Sequence, residues 1–441
     1  MLETAVLLTF IAALAACVAS GASILWALAG GYLIFCGYGL IRGHRPRALL
    51  RMSLDGVRTV KNILMIFGLI GFITALWRGA GTIPVIVCLA ADLIDPSVFL
   101  LIAFLLNCLI SVLTGTSFGT GATMGVITMS MASAMGLSPF WLGGAILSGI
   151  YFGDRCSPVS SSANLVCVLT GTDIYENIRG MIRTGLVPFA LSCLFYYLAG
   201  RTMAGEGELL DVSSLFAGSF RLHAAAVVPA ALILILSLLR VKVKQAMALS
   251  ILSAVVICAV LQGFSAGEIL SMAVFGYRSA DPALAPMLDG GGLISMVRVG
   301  TIVCLSSSYA GLFQGTGLLN GIQGWVERLS RRITPYGAVL AVSVFTSMIA
   351  CNQTLAAMLT HQICKTSQPD AKKMAIDLEN TAIILSPLVP WCIAGAVPLA
   401  AVGAPTASVT VAVYLYLVPL WNLFAELSGI RKMGEKRRKK V

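Results

Sequence analysis

Charge is what this sequence has least of. Only 11% of its 441 residues are Asp, Glu, Lys or Arg, less than half the roughly 25% of soluble domains, and that shortage excludes water as the main solvent. Histidine is almost missing. His44, His223 and His361 each lie beside a loop or the end of an apolar run without metal-ligand spacing, and His361, a few turns beyond Asn352, is the one near enough to a polar segment to relay protons. The twelve cysteines, Cys17, Cys36, Cys88, Cys108, Cys167 and Cys258 among them, contain no C-x-x-C pair, so they read as small hydrophobes rather than metal ligands. There is no P-loop, no dinucleotide-binding glycine fingerprint and no catalytic triad, which excludes direct ATP drive and argues against an enzyme; no cofactor is expected. A basic N-terminal region of the kind that opens a secretory leader is also missing: the chain starts Met1-Leu2-Glu3, so residues 5–20 read as a retained helix. The apolar runs do not alternate in polarity, which excludes a membrane β-barrel.

What is there is hydrophobic length. Apolar residues make up 58% of the chain, and windows such as 22–41, 62–77, 98–113, 181–199, 222–239, 246–262, 336–351 and 406–425 approach the roughly 20 residues that cross a bilayer. The expected fold class is an all-α polytopic membrane protein with about ten to twelve spans, including broken helices and re-entrant hairpins. The net charge of +11 does not imply nucleic acid, because the basic residues sit in short loops and in the tail. That is the positive-inside pattern of a bacterial inner membrane protein with both termini in the cytoplasm. Arg42, Arg45, Arg47, Arg51, Arg58 and Lys61 form the strongest cluster, within an amphipathic stretch expected to lie on the cytoplasmic surface. Arg240, Lys242, Lys244 and the 431–440 run mark the same side, the tail resting on anionic lipid as a topological anchor. Asp281, Asp289 and Arg278 suit the outer face, and Asp92 and Asp95 read as solvated loop acids.

The chain resembles itself. At an offset of 236 residues, Ala75–Gly81 lies over Gly311–Gly317 and Gly115-Thr116-Ser117 over Cys351-Asn352-Gln353; at a slightly smaller offset Ser157-Pro158 lies over Ser386-Pro387. Three matches in one order argue for duplicated halves, of the inverted kind common in secondary transporters. The expected organisation is 1–61 N-terminal helices with the basic interfacial segment, 62–200 first repeat, 201–290 linking helices and loop, 291–426 second repeat and 427–441 basic tail. The matching segments hold the glycines and prolines that a continuous helix avoids. Broken backbone inside a membrane is tolerated only where it is buried in protein or lines a wet cavity, so the breaks point to a site.

Polar residues collect at those breaks. Thr116, Ser117 and Thr120 offer hydroxyls beside flexible carbonyls, hard donors suited to an alkali cation, although small residues also serve plain helix packing. Asp154 stands in a membrane segment, where a carboxylate costs about 3 kcal/mol on insertion scales. It is the first candidate for function, against the alternative of a helix-end salt bridge with Arg155. Ser157, Ser160, Ser161, Ser162 and Asn164 follow it past Pro158 and are suited to completing a cation shell or receiving a substrate carboxylate at a helix N-terminus. The second half answers with Asn352, Gln353 and Thr354, and with Glu379, Asn380 and Thr381 ahead of Ser386-Pro387. Glu379 is either a second exchanging acid or, given Lys372 and Lys373 upstream, an acid of a cytoplasmic loop.

Three of these segments, Thr114-Gly-Thr-Ser-Phe-Gly-Thr, Tyr151-Phe-Gly-Asp-Arg-Cys-Ser-Pro-Val-Ser with Asn164-Leu, and Leu378-Glu-Asn-Thr with Ser386-Pro-Leu-Val-Pro-Trp, resemble the signatures of the NhaC-type sodium/proton antiporters. That family belongs to a broader ion transporter superfamily with malate/lactate exchangers among its members. The resemblance covers roughly residues 60–425 and implies exchange driven by a proton or sodium gradient, with Asp154, Asn164, Asn352 and Glu379 on matching positions. The family usually has Asp where Ser161 stands, Asp at Asn380 and Asn at Cys392, so this chain has two fewer carboxylates for cations or protons. The leading expectation is a Na+/H+ antiporter in which Asp154 alternates between a proton and Na+. The alternative is a gradient-driven carrier of a small carboxylate or amino acid. Its partners are the lipid bilayer and a small cation or organic solute, no nucleic acid is implied, and a homodimer is admitted.

Overall fold

The structure, a computed structural model, describes residues 2–20, 23–91, 95–203, 216, 220–239, 241–281, 284–318, 334–350 and 352–429. Cys351, Asp92, Arg240 and the basic run 431–440 therefore lie outside the described residues. Among the described residues there are helices and one isolated bridge, Tyr277 to Gly290, but no strand. The helices used below are α1 (Leu2–Ala19), α2 (Ile24–Ile41), α3 (Pro46–Thr59), α4 (Lys61–Gly79), α5 (Thr82–Ala91), α6 (Pro96–Thr114), α7 (Ser117–Thr120), α8 (Val126–Ala134), α9 (Pro139–Cys156), α10 (Ser161–Thr170) and α11 (Ile174–Met203). After them come α12 (Val228–Leu238), α13 (Val243–Ile257), α14 (Ala266–Phe275), α15 (Val297–Thr316), α16 (Pro335–Ala350), α17 (Gln353–Cys364), α18 (Ala371–Asn380), α19 (Ala382–Leu385), α20 (Ile393–Ala401) and α21 (Val413–Leu427). A π-helical turn, Gly121–Gly125, joins α7 to α8.

The polarity of α6 runs opposite to that of a helix in water. Leu105, Leu109 and Leu113, four residues apart and so on one face, are exposed, whereas Asn107 and Ser111 on the other face are fully buried. Leu186, Leu191, Leu194 and Leu198 give α11 a similar exposed apolar surface. Hydrocarbon outside and polar groups inside is the arrangement of a multi-pass membrane protein. Among the described residues three stretches are long and apolar enough to cross a bilayer singly: Pro96–Thr114, Ile174–Thr202 and Lys244–Gln262. A fourth span results if Ala371–Leu388 and Ile393–Ala401, bent by 55°, are taken as one. The other apolar helices have 10–17 residues and, at about 1.5 Å per residue, fall short of a hydrocarbon core of about 30 Å.

Small residues set how closely the helices approach. A Cβ placed on Gly153 of α9 would lie 2.2 Å from the Ser111 carbonyl carbon, so α6 and α9 are in backbone contact there, the packing mode of small residues in membranes. The amphipathic pattern of α3 has a similar cause: Leu49, Ser53 and Gly56 are buried, and the Gly311 position of α15 meets the Met52 carbonyl. Arg47, Arg51 and Arg58 stay on its outer face beside Leu50 and Leu54. Further in, the Tyr196 hydroxyl donates to the Val411 carbonyl at 2.9 Å and shares a hydrogen bond of 2.7 Å with Ser148, fastening α11 to α9 and to the segment before α21.

The internal resemblance has a structural counterpart. Gly81 (φ 75°) follows α4 and Gly317 (φ 66°) follows α15, both left-handed and at the 236-residue offset. At that offset too, Thr116 (φ −139°, ψ 120°) and Asn352 (φ −150°, ψ 128°) are the extended residues from which α7 and α17 start. α10 packs on α17 and α18 of the other half, and α20 packs on α7, α9 and the π turn.

Candidate functional site

The site forms where α6 stops. Gly115 ends it with φ 65°, and a Cβ there would come within 2.6 Å of the Val159 side chain; only glycine allows both the left-handed turn and that approach. α7 then begins at Ser117. In the second half α17 begins at Gln353 behind its cap, Asn352, whose side chain accepts from the Thr354 N–H at 2.9 Å. α10 begins behind Ser160, whose hydroxyl accepts from the Ala163 N–H at 3.3 Å. Three helix N-termini, each with a partial positive charge from its free N–H groups, thus meet around the C-terminal turn of α9.

That turn carries Asp154, 3% exposed. Its Oδ1 accepts from the Ser160 hydroxyl at 3.2 Å, its Oδ2 from the Gln353 side-chain amide at 3.2 Å, and the Ser117 backbone N–H is a further donor. The same Gln353 amide donates to the Ile383 carbonyl at 3.1 Å. Ser162 donates to the Asp154 backbone carbonyl at 3.2 Å and shares a 2.9 Å hydrogen bond with Ser160. A cavity of about 320 Å³ adjoins the carboxylate, lined by Thr116, Ser117, Asp154, Ser161, Ser162, Gln353 and Thr354 with Ile66, Phe118, Gly119 and Leu165. The Thr116 hydroxyl is buried there without a hydrogen-bond partner.

Other candidate residues lie outside that lining and bind locally. Thr120 donates to the Thr116 carbonyl at 2.9 Å, and Ser157 to the Val112 carbonyl at 2.6 Å, tying the break to α6. Asn164 closes the Pro158 loop through the carbonyls of Pro158 (3.1 Å) and Ser160 (2.6 Å). Thr381 donates to the Asp377 carbonyl at 2.6 Å and accepts from Ser343 at 2.8 Å. His361, on α17, is not part of the lining either.

Arg155 does not face Asp154. Consecutive residues of a helix point about 100° apart, and Arg155, fully buried, reaches the opposite way. It donates to the Met181 carbonyl (3.0 Å), the Thr184 hydroxyl (2.8 Å), the Tyr414 hydroxyl (3.1 Å) and the Asn380 side-chain carbonyl. This cage of neutral acceptors was not legible in the sequence, whose local alternative was a bridge to Asp154; its members come from α11, α18 and α21. Glu379 sits beside it, fully buried, and neither of its oxygens has a hydrogen-bond partner.

Residues 149–423 match the model of the Na+/H+ antiporter family. The chain is 26% identical over 399 residues to the Na(+)/H(+) antiporter NhaC of Bacillus subtilis, covering 86% of this chain and 87% of that one. It is 25% identical over 431 residues to an uncharacterized Na(+)/H(+) antiporter of Haemophilus influenzae, with 92% and 90% covered. It is also 24% identical over 403 residues to the malate-2H(+)/Na(+)-lactate antiporter of Bacillus subtilis, with 88% and 84% covered. The match spans well over half of the sequence and contains Asp154, Gln353 and Glu379, and on that ground the chain belongs to the Na+/H+ antiporter family, a family of secondary active transporters rather than enzymes.

Proposed function

We propose that the protein exchanges Na+ for H+ across a bacterial inner membrane by alternating access, with the cation held at Asp154. The observation that carries this reading is the charge of the cavity: among its lining residues Asp154 is the one ionisable group. Hydroxyls of Thr116, Ser117, Ser161, Ser162 and Thr354 and the amide of Gln353 surround it, oxygen donors of the kind Na+ takes. At about 30 Å³ per water, the volume has room for a cation with part of its hydration shell. The equivalent breaks at Thr116 and Asn352 support two repeats of inverted topology, 62–200 and 291–426, with the site between them near the membrane midplane. Ten to twelve spans follow if broken helices cross in pairs; both termini are then cytoplasmic and the basic residues of α3 face anionic lipid. No cofactor beyond the two ions is invoked, and a homodimer is compatible with this arrangement.

One observation favours a second reading. Three helix N-termini converge on the cavity, and such ends receive carboxylates, so a small organic acid travelling with the cation is the alternative, as the name of the malate/lactate relative suggests. The test uses proteoliposomes with a trapped pH dye and an imposed Na+ gradient. Wild type moves protons and Asp154→Asn falls to the background of empty vesicles. Absence of Na+-driven proton movement in wild type contradicts the reading, and labelled malate or lactate counterflow then identifies the alternative.

A further inference from the structure

Two acids are buried in this site, and their surroundings differ. Asp154 meets donors from Ser160, Ser162, Gln353 and Ser117 and lines the cavity. An ionised carboxylate accepts from all of them at its two oxygens and has no proton to place. Glu379 lies outside the cavity lining and accepts from none. The charge nearest in kind to balance it is Arg155, whose other partners are all neutral and whose Nε has no hydrogen-bond partner. We propose that Na+ is held at Asp154 while the exchanged proton is carried by Glu379, and that the fixed charge of Arg155 couples the two at one proton per cation.

Charge has to balance among these buried side chains. With Glu379 protonated, Asp154 and Arg155 balance. Na+ at Asp154 then leaves the cluster with a net positive charge unless Glu379 gives its proton to water entering from the open side. Unpaired buried charge is strongly unfavourable, so each ion expels the other although they occupy different carboxylates. Among the described residues the elements packed around Glu379 bury no second cation: Arg179 and Arg183 of α11 are exposed. α9 contributes Asp154, Arg155 and the Cys156 thiol, α10 the Cys167 thiol, and α21 the Tyr414 hydroxyl through Arg155. On α18 itself Asp377 accepts from Gln368 at 2.8 Å, and Lys372 is paired with Glu176 of α11 at 2.6 Å. α17 carries His361 and Cys364, whose electrostatic neighbours are Lys365 and Asp377 respectively.

This inference rests on the cation reading above, and its test separates the two. Binding of radiolabelled Na+ is measured across a pH series on purified full-length protein. Wild-type affinity falls about tenfold for each unit of acidification, the linkage of one proton to one cation. In Glu379→Gln the dependence is flat and affinity is lower throughout, because the neutral amide cannot compensate the entering charge; Glu379→Asp retains the dependence. If Glu379→Gln keeps the wild-type slope, the proton is elsewhere and the inference is overturned while the cation reading stands. If wild type binds no Na+ at any pH, both are overturned. An infrared difference spectrum on Na+ addition checks the same point without a mutation. Loss of a protonated carboxyl band that shifts with isotopically labelled glutamate supports Glu379, and a band insensitive to that label contradicts it.

Discussion

The helix breaks at Thr116 and Asn352 share a backbone conformation but not a chemistry. Each half breaks a helix at the same offset, behind Thr116 in one and Asn352 in the other, and each continues from a residue that lines the cavity, Ser117 or Gln353. The second pair of breaks aligns Ser157 with Ser386, which sets Asp154 over Ile383 and Gly153 over Ala382. Of the two matching positions, only that of Asp154 places a carboxylate in the cavity lining. Gln353 spans the difference, donating to the Asp154 carboxylate and to the Ile383 main-chain carbonyl. A backbone carbonyl survives any substitution, so the second half keeps an acceptor where the first keeps an acid.

The largest effect expected from breaking this comparison concerns packing. Gly153→Ala forces a Cβ against the Ser111 and Val112 backbones at 2.2–2.3 Å, and overpacking against a backbone that cannot yield costs about 3 kcal/mol or more; thermal denaturation in detergent reads this as loss of folded protein. The reverse change at the matching position, Ala382→Gly, costs about 1 kcal/mol. A smaller effect separates the two residues at the second break. Gln353→Ala removes one donor to Asp154 and lowers Na+ affinity roughly tenfold, the worth of about 1.4 kcal/mol. Asn352→Ala removes the α17 cap instead, costing about 1 kcal/mol of stability with Na+ affinity close to wild type. Equal affinity losses in the two variants would contradict the division between ligand and cap.

Much of this arrangement was legible because breaks and charges are expensive in hydrocarbon. Gly115, Pro158 and the acid at Asp154 are costly in a continuous apolar helix, so their presence points to the candidate site before any fold is known. Hydroxyls are less informative. Thr120, Ser157 and Ser162 look alike in sequence, yet two of them satisfy nearby carbonyls and stay outside the cavity, while Ser162 lines it; orientation decides this, and orientation comes from tertiary packing. Glu379 was ambiguous for a related reason. Lys372 and Lys373 suggested a loop, and Lys372 is exposed and paired with Glu176, but two turns later α18 passes beneath α10 and α11, and Glu379 is enclosed. The basic stretch of α3 read as a helix on the membrane surface; its Arg47, Arg51 and Arg58 are exposed, and the close contact at Gly311 depends on a helix far along the chain.

The central claim is a single cation site at Asp154 between two halves that differ at the matching position. Equilibrium dialysis of the purified protein with radiolabelled Na+ tests it most directly. The account predicts one saturable Na+ per chain in wild type, none in Asp154→Asn, and one in Ile383→Val. Two Na+ per chain in wild type, or one still bound in Asp154→Asn, would contradict it.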